Sequence, residues 1–241
     1  MGGDTAAVIP AVNEADRIAA TVRAAMALPG VDLVVVVDDG SSDQTGRVAR
    51  AAGARVVRHS RNRGKAAAME TGAESVRLLD EDAARHLLFL DADLGDTAQA
   101  AAPLIEPVRA GEADMTIAVF ATRVRLGGHG LVVRLSREGI RRATGFEPAQ
   151  PLNGQRCLTR AAFEAARPLA HGFGVETALT IDLLRKGFRV TEVEVDMAHR
   201  ATGTDWRAQL HRAVQLRDVV RALATREPLV VQNLDKLRPK R

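Results

Sequence analysis

The sequence predicts an α/β layer fold with a mixed, mainly parallel sheet flanked by helices, and three observations carry that expectation. Short β-branched runs alternate with longer stretches of helical period, the pattern of strands and covering helices. Two of those runs, in DLVVVVDDG from Asp32 and HLLFLDADLGD from His86, are continuously apolar, as in strands buried on both faces. Each stops at a pair of carboxylates, and in open α/β sheets ligands sit beyond the carboxyl ends of the strands.

AAVIPAV from Ala6 reads as the first strand, and Asn13-Glu14 opens a helix carrying Ile18, Val22 and Met26 on one face. The second strand starts at Asp32, after which Ser42 or Asp43 caps a helix ending near Gly53. RVVRHS from Arg55 is a short third strand, and the loop Arg61 to Lys65 leads into a helix running to about Leu79. His86 begins the fourth strand, AQAAAPLIEPVRAG forms the next helix, and ADMTIAVF from Ala113 the next strand. Asp38, Asp39, Asp91 and Asp93 are thereby expected to converge on one crevice.

The stretch from Ala121 to Gly130 is glycine-rich, basic and without period, so its simplest reading is a mobile loop over the crevice. A helix over 131–144, a turn through Pro148 and Pro151, the segment LNGQRCLTR and a helix near Gly174 follow. The strand RVTEVEVDMAHR alternates Val190, Val193 and Val195, and an arginine-rich helix comes last. No linker or repeat forces a boundary. The expectation is a single domain over 1–241, with a nucleotide-binding half (1–96) and an acceptor-binding half (97–241) that includes the amphipathic last helix.

Length and composition exclude several classes. With 241 residues, 46% hydrophobic and 27% charged, the chain can bury a full core and matches neither disorder nor a fibrous repeat. Cys157 is the one cysteine, so no internal disulfide forms and a reducing, cytoplasmic setting is expected, with Cys157 a small buried hydrophobe. No apolar run approaches the roughly 20 residues that span a bilayer, and the first residues turn acidic before a signal core forms. A net charge of +4 suits a phosphate-rich ligand, but 3% aromatic residues leave too few stacking platforms for nucleic acid.

Asp91-Ala92-Asp93, at the end of a buried strand, is the most informative short motif. Two carboxylates flanking a tight bend can bracket a hard cation, Mg²⁺ or Mn²⁺, whose shell is completed by water and phosphate oxygens. A solvated turn is the plain alternative. In VVVVDDGSSDQT, Asp39 can accept the ring N–H of a base or a ribose hydroxyl; a helix cap with a turn carboxylate is the other reading. RNRGK lacks the spacing of a Walker loop, and neither GxGxxG nor a glycine-rich nucleotidyltransferase loop follows the first strand.

VIPAVNEADRI, VVVDDGSSDQT, RNRGKAAAMETG and LFLDADLGD, in this order over residues 6–96, resemble the nucleotide-binding half of the family 2 glycosyltransferases with the GT-A, nucleotide-diphospho-sugar transferase fold. QPLNGQRCLTR, HGFGVETALTIDLLRKG and VEVDMAHR are similar to a narrower group, the glucosyl-3-phosphoglycerate synthases and their short bacterial relatives. The resemblance implies that Pro10, Asn13 and Glu14 hold base and ribose, that Asp39 contacts uracil, and that Lys65, Asp91 and Ala92 bind the nucleotide sugar. It places a metal on Asp93 and His199, with Asp91, and sets Glu176 toward the acceptor.

The chemistry implied is transfer of a sugar, glucose first, from a UDP-sugar to a small phosphorylated or carboxylated acceptor, or to a lipid phosphate. Charge growing on the diphosphate would be met by the metal and by Lys65 or Arg200, while Glu176 or Asp182 would take the acceptor's proton. Gly154, Gln155, Arg156 and Arg200 are expected at the acceptor, Arg156 gripping a carboxylate or phosphate. Two other readings stay open. Glu176 opens a helix, where it can serve as a cap, and His199 can be a satisfied surface residue. A homodimer and contact of the last helix, with Leu210, Val214 and Val219 among arginines, with the inner membrane face are further expectations; the rival of another class is a peripheral membrane module.

Overall fold

Val34 to Val37 are four consecutive β-branched residues, all buried; a run this apolar on both faces settles only where helices cover the sheet twice. The computed structural model describes residues 4–80, 85–121, 130–197 and 206–226. The first half alternates β1 (Thr5–Ala11), α1 (Ile18–Met26), β2 (Val31–Asp38), α2 (Thr45–Ala51), β3 (Arg55–Arg58), α3 (Lys65–Leu79) and β4 (His86–Phe89). A 3-10 helix (Gly95–Ala101) then runs into α4 (Ala102–Arg109), followed by β5 (Met115–Phe120) and α5 (Gly130–Thr144). The second half adds β6 (Arg156–Leu158), α6 (Arg160–Ala166), α7 (Val175–Arg185), β7 (Val190–Val195) and α8 (Trp206–Ala224).

Among the described residues the strands form one seven-stranded sheet in the order β3-β2-β1-β4-β6-β5-β7. β1 pairs in parallel with β2 and β4, β2 with β3, and β5 with β7. β6 runs antiparallel to both neighbours, β4 and β5. The carboxyl ends of the other strands therefore share one edge. This is the mixed, mainly parallel sheet flanked by helices that the sequence predicts.

One apolar layer, with Ile9, Ile18, Val36, Leu88 and Leu104, lies between the sheet and α1, α2 and α4. The opposite layer, with Val8, Val37, Phe89, Phe163 and Leu179, lies under α3, α6 and α7. A third cluster joins α5, α7 and α8 through Leu135, Ile181, Val219 and Leu223. The C-terminal part of α8, with Leu216, Val219, Val220 and Leu223, thus packs on the protein, the common fate of an amphipathic helix; the side chain of Leu210 lies outside the described residues. No helix among the described residues is long and apolar enough to cross a membrane.

Several local expectations change. Asn13-Glu14 does not open α1: Asn13 has a positive φ of 56°, outside the helical region, and its Oδ1 accepts hydrogen bonds from Ser42 N and Oγ. Met26 is 49% exposed at the end of α1 and does not belong to the buried face with Ile18 and Val22. α2 starts only at Thr45, whose N–H donates to Asp43 Oδ1, so the carboxylate still satisfies the first turn. β6 and α6 fall within and just after LNGQRCLTR, where no strand or helix is expected from the pattern. Residues 122–129, with most of the expected loop over the crevice, lie outside the described residues.

Candidate active site

β1 has β2 on one side and β4 on the other, so the chain reverses its direction of travel across the sheet between β1 and β4. Such a switch point leaves a gap beyond the strand ends, the usual ligand site of doubly wound sheets. A crevice of about 550 Å³ opens there, with Pro10, Glu14, Asp39, Lys65, Asp91 and Asp93 in its wall from the first half. Val132, Leu152, Phe173, Glu176 and Gln215 face them from the second.

The turn after β4 is shaped by α1. Thr21, fully buried, donates from Oγ1 to Ala92 O at 2.9 Å and accepts from Gly95 N at 2.8 Å. Arg17 Nη1 donates to Asp93 O at 2.9 Å. These bonds fix the peptide carbonyls, and Asp91 and Asp93 both line the crevice. Oxygen donors two residues apart fit a hard divalent cation, which takes one or two carboxylates and completes its shell with water and phosphate. Among the described residues no group of three or more His, Cys, Asp or Glu is placed to hold a metal; His199 and Arg200 lie outside the described residues.

Lys65, the first residue of α3, joins the two halves. Its Nζ lies 2.8 Å from Asp91 Oδ1 and 2.8 Å from Glu176 Oε1. Burial works against the charge, but Asp91 and Glu176 outweigh it and hold the ammonium charged well above the ordinary lysine range. Glu176 itself is buried at the second position of α7, where the helix N-terminus favours its charge. Glu176 therefore does not stand apart from the donor side, as a purely acceptor-facing residue would: its partner is the lysine expected at the nucleotide.

Asp39 and Asp38 do not converge. Successive residues of a strand point to opposite faces: Asp39 faces the crevice, whereas buried Asp38 turns to Ser41 N at 2.9 Å and to Arg58 at 3.4 Å. Asp39 accepts from Arg63 N and Gly64 N, each at 2.8 Å, and contacts His59 Nδ1 at 2.6 Å. The loop can come this close because Gly40, at φ +73°, leaves room: an added Cβ would meet Arg61 C at 2.5 Å. Pro10 and Glu14 line the crevice, whereas Asn13 ties the first loop to Ser41 and Ser42.

The expected acceptor grip of Gly154, Gln155 and Arg156 is corrected by their surroundings. Arg156 is 1% exposed. Its guanidinium donates to Asn153 O at 2.9 Å, Glu176 O at 3.1 Å, Thr180 Oγ1 at 2.9 Å and Pro151 O at 3.2 Å. Burial, opposed by Glu176 and Glu192, pushes its pKa down to about 10. It is a strut between β6 and α7, with no donor turned to the crevice. Gln155, equally buried, braces Asp91, donating from Nε2 to Oδ2 at 3.0 Å. Gly154 lets the chain pass so close that an added Cβ would press on the Lys65 ammonium and come 3.0 Å from Asp91 Oδ1. Asp182, the alternative base, is engaged by both Nε and Nη2 of Arg226 and does not line the crevice. Cys157 is buried, as expected, and burial pushes its thiol pKa up.

Replacing Arg156 by Met is therefore expected to take the guanidinium from the buried Asn153 and Pro151 carbonyls, while Glu176 O keeps the Thr180 hydroxyl, and to destabilise the fold by about 3 kcal/mol. A lowered urea midpoint at unchanged slope would show it. An acceptor-gripping arginine would lose activity with no change in stability.

Sequence reasoning missed Thr21, His59, Thr71 and Gln215. Thr21 carries a readable signal, a hydroxyl on the α1 face next to Val22; Gln215 carries none, because only the docking of α8 brings it to the crevice.

The chain matches the family model described as Glycosyl transferase family 2 over residues 6–151, and it belongs to that family. It is 32% identical over 200 residues to glycosyltransferase AglJ of Haloferax volcanii, across 81% of this chain and 63% of AglJ; the chain thus spans under two thirds of that relative. The crystal structure of glucosyl-3-phosphoglycerate synthase from Mycobacterium tuberculosis in complex with phosphoglyceric acid is similar, with a TM-score of 0.75 and 28% identity over 93% of this chain and 80% of that one. The complex of that enzyme with Mn²⁺, uridine diphosphate and phosphoglyceric acid gives a TM-score of 0.74 and 27% identity, over 93% and 78% of the two chains.

Proposed function

We propose that this chain transfers a sugar, glucose in the first instance, from a UDP-sugar to an acceptor carrying a phosphate or carboxylate, either a small molecule or a lipid phosphate. The observation that carries the reading is Lys65 held between Asp91 and Glu176 at the mouth of the sheet. That contact joins a charged donor for a phosphate to two carboxylates in one crevice. The solved relative with Mn²⁺ and uridine diphosphate supports the choice of base and of cation.

In this reading Asp39 holds the base, Pro10 and Glu14 the nucleoside, and the Lys65 ammonium donates to an oxygen of the diphosphate. Asp91 and Asp93, with His199 beyond β7, would hold Mg²⁺ or Mn²⁺, which supplies positive charge to the leaving diphosphate. As the bond from the anomeric carbon to the diphosphate oxygen breaks, an acceptor oxygen bonds to that carbon. Where the acceptor oxygen carries a proton, Glu176 takes it at a carboxylate oxygen; a phosphate dianion needs no base. Val132, Leu152 and Phe173 exclude water from the second-half wall.

The test is a donor screen with Mn²⁺ or Mg²⁺, reading nucleotide release with and without candidate acceptors. Release from UDP-glucose stimulated by a phosphorylated acceptor is expected, and clear preference for a GDP-sugar would overturn the choice of donor. Calorimetry adds a second check: UDP should bind much more weakly in EDTA than with Mn²⁺, because Asp91 and Asp93 alone repel a diphosphate. Equal affinity would remove the metal from the reading.

A further inference from the structure

His59 lies one residue beyond β3, buried at 6% exposure, and both of its ring nitrogens are engaged. Nδ1 is 2.6 Å from Asp39 Oδ1, and Nε2 is 2.9 Å from Thr71 Oγ1 on α3. A carboxylate only accepts, so Nδ1 carries the proton toward Asp39; in the neutral ring Nε2 then accepts from the Thr71 hydroxyl. Asp39 thus receives three donors, two from the backbone of Arg63 and Gly64 and one from His59. Two carboxylate oxygens offer about four acceptor positions, which leaves one for a ligand in the crevice that Asp39 lines.

We propose that His59 is a positioning residue for nucleobase recognition: the Asp39–His59–Thr71 chain fixes the Asp39 carboxylate so that its remaining acceptor position faces the crevice. The inference rests on reading Asp39 as the contact to a base N–H. The backbone N–H groups of Arg63 and Gly64 belong to a loop, whereas His59 is anchored at both ends, to the end of β2 and to α3. That helix also begins with Lys65, so the same side chain sets the base site against the residue that meets the diphosphate. Without His59, Asp39 keeps only its two loop contacts, Arg63 N on Oδ1 and Gly64 N on Oδ2, and loses the one donor that ties Oδ1 to α3 through Thr71.

The experiment is calorimetry of UDP and of inorganic pyrophosphate, each with Mn²⁺, on the full chain and on His59→Leu, His59→Asn, Thr71→Val and Asp39→Asn. His59→Leu should weaken UDP about tenfold, the scale of one hydrogen bond to a charged group, and leave pyrophosphate unchanged. His59→Asn, whose amide nitrogen stands near the place of Nδ1, should recover most of that loss, and Thr71→Val should fall between the wild type and His59→Leu. Equal weakening of UDP and pyrophosphate by His59→Leu would mean a general structural role and overturn the proposal. Asp39→Asn weakening UDP while His59→Leu does not would overturn it with the base site intact. If Asp39→Asn leaves UDP affinity unchanged, the assignment of the base to Asp39 is what fails, and the inference falls with it.

Discussion

Asp93→Ala is expected to abolish transfer, by about three orders of magnitude or more, while thermal unfolding stays near wild type. The loss is of the size produced when charge on a leaving group goes uncompensated in a water-excluded site. Stability should hold because the turn is fixed through its backbone: Asp93 contributes its carbonyl to Arg17, and Thr21 holds Ala92 and Gly95. UDP affinity in the presence of Mn²⁺ should fall with activity, whereas UDP affinity in EDTA should not. Near-normal turnover in the variant would make the acidic triplet only a turn.

Glu176→Gln is expected to lower transfer on the order of 10²-fold, the scale of a positioned general base, with UDP affinity close to wild type. The Lys65 contact makes this a stricter test than the sequence alone would set. An amide can still accept from the ammonium, so Lys65 keeps its place beside Asp91 while the proton acceptor is gone. If UDP binding fell in parallel with transfer, Glu176 would be acting through Lys65 on the donor. A phosphate-dianion acceptor should be much less sensitive to this change than an alcohol, since it brings no proton to remove. Comparing the two acceptor types in one variant separates alignment from proton transfer.

Much of the first half of the fold was legible because β1, β2 and β4 carry long or unbroken apolar runs and the helices between them keep a clear period. VVVV could be little other than a buried strand, and the helix expected after the Arg61–Lys65 loop and running to about Leu79 is α3, which starts at Lys65 itself and ends at Leu79. β6 was not legible: it is three residues long, and its first residue is an arginine, which reads as surface until four acceptors are found around it. Asp91 and Asp93 were readable as a site because strand ends attract ligands, but the bond from Lys65 to Glu176 spans the two halves and has no local signature. His59 was hidden for the opposite reason. It sits in a short, unremarkable strand end, and only the fold brings Asp39 and Thr71 to its two nitrogens.

The reversed strand β6 also sets the order in which the molecule can be finished. Strands β3, β2, β1 and β4 all come from the first part of the chain and can pair as a four-stranded unit while the rest is still being made, at about 5–20 residues per second. During those seconds β4 is an open edge, kept short at four residues, which limits pairing with other chains. Insertion of β6 closes that edge and in the same movement delivers Gln155 to Asp91 and Arg156 to the base of α7. A nascent chain therefore has its nucleotide-side carboxylates long before it has the groups that hold them in place. Because α7 with Glu176 and the edge strand β7 follow β6 in the chain, turnover in a synthesis experiment is expected to begin only after β6 and α7 are both in place.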